Sequence, residues 1–161
     1  AALIKMVLLS QRPDFEEDDM VELDTTNTEP AYLCGRLLAV LENAQVKAIN
    51  TTTIVDKFYG TASSAPATVF AQLIRGAQPH LSKLHRDHPG IAVNIERNLN
   101  EIISGLNTFP KTLTLQQQGI FALGYYHERA RRWAAKPASD GTQITNASTD
   151  SNDLTKKEQI S

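Results

Sequence analysis

Apolar residues recur at helical spacing through most of the chain, and no segment alternates with the period of two that is typical of a strand. The clearest helical pattern follows Thr28, Glu29 and Pro30, a capping residue, an acid and a proline that suit the start of a helix. Its apolar face comprises Leu33, Leu37, Val40, Leu41, Ala44 and Ala48. We therefore predict a first long helix from this point.

Two further helices are predicted before residue 85. A short one covers residues 53–59 and ends at Gly60, where we expect a left-handed cap. The next opens at Ser63 and Pro66 and buries one apolar stripe. Because a proline inside a helix removes a backbone hydrogen bond, we expect a kink near Pro79.

A loop at residues 85–90 and two more helices complete the pattern. The fourth helix covers residues 91–104. The fifth begins where Thr114 and Gln117 stand in capping-box spacing, and it runs to between residues 133 and 136. Its predicted inward face comprises Leu115, Gly119, Ala122, Leu123, Tyr126, Ala130 and Trp133.

Five one-sided helices with short connections predict an all-α fold, an antiparallel helical bundle. The bundle covers residues 30–136 of the 161. Residues 1–29 read as the apolar end of a helix, closed by Pro13, followed by an acidic linker. Residues 137–161 form a polar tail that we expect to be disordered.

The net charge of -2 conceals an uneven distribution along the chain. Residues 1–30 carry two basic residues against eight acids, and the tail carries two against four. Residues 31–136 carry twelve basic residues against six acids. A basic bundle between acidic ends favours contact of the bundle with a polyanion.

The fifth predicted helix carries basic and aromatic residues in one stripe, namely Phe121, Tyr125, Arg129, Arg132 and Lys136. Such cations neutralise phosphates, and exposed rings stack on unpaired bases. Alternatively, both rings pack against a neighbouring helix and the cations complement the negative end of the helix dipole.

The third predicted helix has a polar face with Arg75, Lys83 and Arg86, and no acid occurs between Lys57 and Asp87. The alternative to nucleic-acid contact is an ordinary solvated surface. Our candidates for nucleic-acid binding across the chain are Arg36, Lys47, Arg75, Lys83, Arg86, Arg129, Arg131 and Arg132.

No motif supports catalysis, a metal or a cofactor. Cys34 is the only cysteine, and we expect it to be a small buried apolar residue. Neither a nucleophile elbow nor a Gly-rich phosphate loop is present. The group of His80, His85 and His88 is better suited to phosphate contact than to a metal site. We therefore expect a protein that is not an enzyme.

The apolar stretch at residues 1–9 is too short to span a bilayer, and no small-residue cleavage site follows it. We expect no signal peptide, no membrane contact and a cytoplasmic location. Because the chain begins with alanine, we expect either that an initiator was removed or that the chain starts inside something longer.

Four sequence blocks resemble one protein family. The block PAYLCGRLLAVLE at residues 30–42 is similar to the opening of the C-terminal helical domain of the large subunit of type I-C CRISPR Cascade complexes. The blocks FYGTASSAPATVF at 58–70, QPHLSKL at 78–84 and QQQGIFALGYYHER at 116–129 agree in order and spacing. The resemblance spans residues 28–133.

The resemblance implies a non-catalytic small subunit of Cascade, made separately from an internal translation start. Its implied partners are guide RNA, target DNA as displaced or hybridised strand, the Cascade backbone and large subunits, and further copies of itself. It would stabilise the R-loop while base pairing reads the sequence. Pro79 departs from the family pattern, and so does the acidic linker, which suggests that the linker contacts a protein or screens the basic face until assembly.

Two other functions stay open. A purely structural subunit of the same complex would use its basic face to meet acidic surfaces of neighbouring proteins. An enzyme would be built on the histidines.

Overall fold

The structure, a computed structural model, describes residues 23–134 of the chain. This range folds into five α-helices with no β-strand: α1 (Pro30–Ile49), α2 (Thr53–Ser64), α3 (Pro66–Asp87), α4 (Pro89–Ser104) and α5 (Leu115–Ala134). The expectation of an all-α fold of about five helices is confirmed. The predictions for residues 1–22 and for the polar tail lie outside the described residues.

Helix α1 lies at the centre of the fold and contacts each of the other four helices. Every residue from Ala31 to Glu42 is buried, so α1 has no solvent-facing side over three turns. A helix that is apolar on all sides is stable only inside a core, and the run Leu-Leu-Ala-Val-Leu at residues 37–41 meets that requirement. The other helices therefore pack around α1.

Two glycines allow the backbones of α1 and α5 to touch. A Cβ atom at Gly35 would lie 2.0 Å from the carbonyl oxygen of Phe121, and one at Gly124 would lie 2.2 Å from the carbonyl oxygen of Tyr32. No side chain other than hydrogen fits at either position. The α1–α5 contact is consequently the most intimate in the described fold.

Polar contacts between α1 and α5 occur along much of α1. Tyr32 near the start of α1 reaches His127, with Oη 2.9 Å from Nδ1. Ten residues further along α1, Glu42 accepts a hydrogen bond from Arg132 at 3.3 Å. Polar contacts therefore join α5 to both halves of α1.

Helix α4 runs the opposite way to α1. Arg36, in the first half of α1, donates to Glu101 near the end of α4 at 3.2 Å. Val46, near the end of α1, lines the same cavity as Gly90 at the start of α4. This pair is antiparallel, as expected.

The expected cap at Gly60 is wrong, because α2 continues through Gly60 to Ser64. The hydroxyls of Ser63 and Ser64 donate to the Gly60 carbonyl oxygen at 3.0 and 2.8 Å, which supports the last turn. The helix ends at Ala65, which precedes Pro66 and has left the helical region with φ -141° and ψ 68°. A residue before proline disfavours helical backbone, so the proline rather than the glycine ends α2.

The expected loop at residues 85–90 is also wrong. Helix α3 extends to Asp87, His88 alone forms the connection, and α4 begins at Pro89. His88 has φ -148° and ψ 69° because it precedes proline, while Pro89 fits the first helical position. Pro79 lies inside α3, whose helical span is continuous, and the kink expected there stays a prediction.

The capping box that opens α5 is confirmed. The Thr114 backbone N–H donates to Oε1 of Gln117 at 2.9 Å, and the Gln117 N–H donates to Oγ1 of Thr114 at 3.3 Å. The segment before it is tied down as well, because the Leu113 N–H donates to the Ser64 carbonyl oxygen at 2.8 Å. The start of α5 is thereby held against the end of α2.

The inward face predicted for α5 is wrong. Helix α5 carries two apolar stripes, and it buries the one that contains Phe121, Gly124 and Tyr125. Leu123 and Tyr126, from the predicted face, are exposed instead. The close approach at Gly124 selects this face, because only glycine admits the backbone of α1. Trp133 lies in α5, but its side chain is not among the described ones.

Among the described helices, none combines the length and apolar character needed to cross a bilayer.

Candidate nucleic-acid interface

A groove lies between the second half of α1, the first half of α4 and the last turns of α5, with a cavity volume of about 810 Å³. Three helices supply its basic residues, which are Lys47 from α1, Arg97 from α4, and Arg129, Arg131 and Arg132 from α5. We call this set and the surface between them the basic groove. Four of the five belong to the predicted nucleic-acid contacts.

Helical spacing brings the side chains of each wall together. On α4, Arg97 and Asn98 follow Asn94 by three and four residues, so both lie beside it on one face. Arg97 is oriented by its own helix, since its Nη2 donates to Oδ1 of Asn94 at 2.8 Å. The amides and the guanidinium of this wall all present hydrogen-bond donors to the groove.

Glu42 is the only acid among the residues that line the groove, and it is buried. Its Oε2 accepts hydrogen bonds from the Tyr125 hydroxyl at 3.0 Å and from Arg132 at 3.3 Å, and lies 3.7 Å from Nε of Arg129. The Arg129 guanidinium also lies 5.4 Å from the centre of the Tyr125 ring, a cation–π distance. One carboxylate thus holds two guanidinium groups at the floor of the groove.

Burial and charge shift the pKa of two groups beside Glu42. Burial, reinforced by the charge of Glu42, raises the pKa of Tyr125, so its hydroxyl stays a hydrogen-bond donor. Burial lowers the pKa of Arg132, while the nearby Glu42 carboxylate opposes that effect. Nε of Arg132 is buried without a hydrogen-bond partner among the described residues, so this guanidinium retains an unused donor.

A second buried carboxylate, Glu128, lies behind the groove wall. It accepts from Arg36 Nε at 3.0 Å and from Arg131 Nη2 at 2.7 Å. Arg36 also donates to Glu101 at 3.2 Å. A buried guanidinium is tolerable only when carboxylates compensate its lost hydration, and Arg36 has two.

The prediction that Arg36 contacts nucleic acid is therefore wrong. It is 1 % exposed and its charge is used inside the fold, so it joins α1, α4 and α5 rather than offering a cation to nucleic acid. Sequence reasoning placed it on the surface because arginine is seldom buried.

The three other predicted contacts lie on α3, outside the basic groove. Arg75 and Arg86 are exposed. Lys83 pairs with Asp87 at 2.6 Å, and the lysine lowers the pKa of that carboxyl. The eight predicted residues thus divide into one buried, four in the groove and three on α3.

Arg97 was missed by the sequence reasoning. Helix α4 was assessed for its apolar stripe alone, although Asn94, Arg97 and Asn98 stand at helical spacing on its polar side. That spacing was the available signal. The sequence did not show which residues this face of α4 lies near. Only the fold places it opposite Lys47 and the end of α5.

The aromatic part of the predicted stripe is wrong. Phe121 and Tyr125 are buried, and both rings pack edge-on against Tyr59 with centroids 5.6 and 5.3 Å away. The alternative interpretation, that the rings pack against a neighbouring helix, is the correct one. These two rings are not presented to an unpaired base.

The histidine group and Cys34 complete the candidate chemistry. His85 Nε2 lies 2.8 Å from Oε1 of Glu96, and both side chains are partly exposed. Within residues 23–134, no three His, Cys, Asp or Glu side chains are grouped to hold a metal ion. Cys34 is buried as expected, and burial raises the pKa of its thiol to about 12.

Comparison with protein-family models matches residues 1–133 to the family described as CRISPR-associated protein (Cas_Csd1). The matched range contains the whole basic groove and the first 19 residues of α5. A search of curated proteins finds no match to the chain.

Proposed function

The chain belongs to the Csd1 family of CRISPR-associated proteins, and from that premise we propose that it binds the phosphate backbone of nucleic acid in the basic groove. In this proposal it is a non-catalytic small subunit of a Cascade-type surveillance complex. It supports the guide RNA, the target DNA or both in the R-loop, and it bridges neighbouring subunits.

One observation carries the proposal: cations from three helices that are distant in sequence converge on one concave surface. Lys47, Arg97 and the α5 arginines are separated by 30 to 85 residues along the chain, so the fold rather than local composition gathers them. A concave surface of one charge sign focuses the electrostatic potential and attracts a polyanion.

Ion pairing reduces the positive charge of the groove without cancelling it. The groove and the layer behind it contain six cations, counting Arg36, and three carboxylates, Glu42, Glu101 and Glu128. Lys47 and Arg97 form no ion pair with any residue between 23 and 134. A surplus of three positive charges therefore faces the groove.

The same geometry favours recognition that does not depend on sequence. Cations and asparagine amides line the groove, whereas Phe121 and Tyr125 are buried in the core. Contacts to phosphate and sugar fix the position of a nucleic acid but carry no sequence information. Base pairing with the guide would supply that information in such a complex.

The state of the potential catalytic groups supports a non-catalytic role. The Cys34 thiol is buried and keeps its proton, so it is a poor nucleophile. Glu42 and Glu128 are buried and hold guanidinium groups, so neither is positioned as a free acid or base.

Fluorescence polarisation tests the proposal with labelled single-stranded DNA and RNA of two unrelated sequences, titrated between about 50 and 200 mM salt. The double variant Lys47→Glu/Arg97→Glu should weaken binding of every oligonucleotide. If both side chains contact phosphate, the slope of log affinity against log salt becomes shallower by about 1.4, since each phosphate contact on a single strand contributes roughly 0.7.

The matched control is Lys57→Glu/Lys111→Glu, which makes the same charge change at two exposed lysines outside the groove. It should leave the slope unchanged. A second pair, Arg75→Glu/Arg86→Glu, tests the α3 surface separately. Affinity that does not vary with salt, or an equal loss in groove and control variants, would refute binding in the groove.

A purely structural role in the same complex is the second candidate. It is favoured by the ion pairs of Arg129, Arg131 and Arg132, since these guanidinium groups already stabilise the fold. In that case the basic groove would accept an acidic surface of a neighbouring protein. Assembly of the complex would then require Lys47 and Arg97, while the isolated chain would show no salt-dependent affinity for either oligonucleotide.

A further inference from the structure

Helix α5 leaves an apolar stripe uncovered on the side opposite its buried face. Leu115 is 83 % exposed, Leu123 50 % and Tyr126 59 %. Positions 115, 123 and 126 lie eight and three residues apart, so they share one side of the helix, with Gly119 and Ala122 between them. We call these five residues the α5 stripe.

Single exposed apolar residues are common on protein surfaces, but a contiguous row of them marks a contact site. The row extends from residue 115 to residue 126, which corresponds to about 17 Å at a rise of 1.5 Å per residue. A short amphipathic helix or strand would be sufficient to cover it. The place where the N-terminal part of the chain reaches the bundle indicates which segment covers the α5 stripe.

The chain enters the bundle beside α5. The backbone N–H of Asp24 donates to the Tyr32 hydroxyl at 3.1 Å, and that hydroxyl lies 2.9 Å from Nδ1 of His127. His127 is the residue after Tyr126. The backbone of Asp24 consequently lies near the C-terminal end of the α5 stripe.

The segment before Asp24 contains an apolar sequence of matching length. Residues 3–9 read Leu-Ile-Lys-Met-Val-Leu-Leu, six large apolar side chains with one lysine. The connection to Asp24 is 14 residues long, which allows a reach of at most about 50 Å when it is fully extended. The full stripe, from Tyr126 back to Leu115, lies within that distance.

We propose that residues 3–9 pack in cis on the α5 stripe. Burial of the apolar side chains on one face of this segment against the exposed leucines and tyrosine removes both surfaces from water. The tether gives the segment an effective concentration in the millimolar range, which favours it over a second copy or a partner protein at ordinary concentrations. This contact is independent of the basic groove and of the proposed function.

Hydrogen–deuterium exchange of the full chain tests the contact. Amides of residues 3–9 should exchange at least about tenfold more slowly than the intrinsic rate, because packing opens only transiently. The variant Leu123→Ser/Tyr126→Ser should remove that protection. Val93→Ser is the matched control, since Val93 is equally exposed but lies on α4, and it should leave the protection intact.

Circular dichroism of each variant verifies that the bundle remains folded, and both substituted α5 positions are exposed in the wild type. A second measurement does not depend on destabilising changes. A photo-reactive amino acid at position 123 should form an intramolecular cross-link to residues 3–9, identified by mass spectrometry.

Three results would overturn the proposal. Residues 3–9 would exchange at the intrinsic rate in the wild type, or their protection would survive Leu123→Ser/Tyr126→Ser. Alternatively, protection would rise with protein concentration and the cross-link would join two chains, which would assign the stripe to a second copy.

Discussion

The contact between α1 and α5 predicts that Gly124→Ala strongly destabilises the protein. Alanine is normally the better residue inside a helix, by about 1 kcal/mol over glycine. At Gly124, however, the added methyl group would lie 2.2 Å from the Tyr32 carbonyl oxygen and 2.9 Å from its carbonyl carbon. Those atoms belong to the backbone of the central helix and cannot rotate away.

The size of the effect follows from that overlap. Ordinary contact begins at 3.4 Å, so the helices must separate by about 1.2 Å at their crossing. Overpacking of a well-packed core costs about 1–3 kcal/mol, and a clash with rigid backbone belongs at the upper end. After subtracting the gain in helix propensity, we expect a net loss of about 2 kcal/mol in the free energy of unfolding.

Urea unfolding of the full chain, followed by far-UV circular dichroism, measures this loss as a lower midpoint. Gly76→Ala in α3 is the control, because Gly76 is exposed inside a helix and a Cβ atom there meets nothing within 4 Å. It should stabilise the protein by up to about 1 kcal/mol. The reasoning would be refuted if Gly124→Ala raised the midpoint as much as Gly76→Ala.

Four further predictions concern the interior of the protein and the start of α5. Arg36→Met should lower the free energy of unfolding in urea by about 3–5 kcal/mol, because it leaves the buried Glu128 carboxylate undercompensated. The double variant Arg36→Met/Glu128→Met should recover much of that loss. Strictly additive losses from the two single substitutions would contradict this. A thiol reagent at pH 8 should modify Cys34 only as fast as the protein unfolds, and any rapid phase would count against its burial. Above pH 9 its thiol ionises only in the unfolded state, so this group lowers stability as pH rises towards about 12. Thr114→Ala removes one capping-box hydrogen bond, and it should lower the urea midpoint by the equivalent of about 1 kcal/mol. An unchanged midpoint would show that the cap does not stabilise the protein.

Local chemistry made the starts of α1 and α5 predictable. The capping box at Thr114 and Gln117 and the start of α1 at Pro30 depend on neighbours three residues away or fewer. The errors at Gly60 and His88 were also local, because the effect of a following proline on backbone conformation was underestimated.

The basic groove could be anticipated only in part. An excess of cations in residues 31–136 was visible from composition, and four groove residues were named from it. Arg36 was named as a contact but is buried against Glu128, whereas Arg97 was not named but lines the groove. Charge along a sequence does not show which cations meet a carboxylate 92 residues away.

The sequence by itself determined that the chain forms helices and where the cap of α5 lies. It predicted a one-sided α1, whereas the structure buries α1 on all sides over residues 31–42. Only the tertiary structure decided which of two apolar stripes of α5 is buried. Periodicity shows only how apolar each face of a helix is, and both stripes of α5 are apolar enough to be buried. The choice depends on close packing at Gly35 and Gly124, where two backbones meet because neither residue has a side chain to separate them.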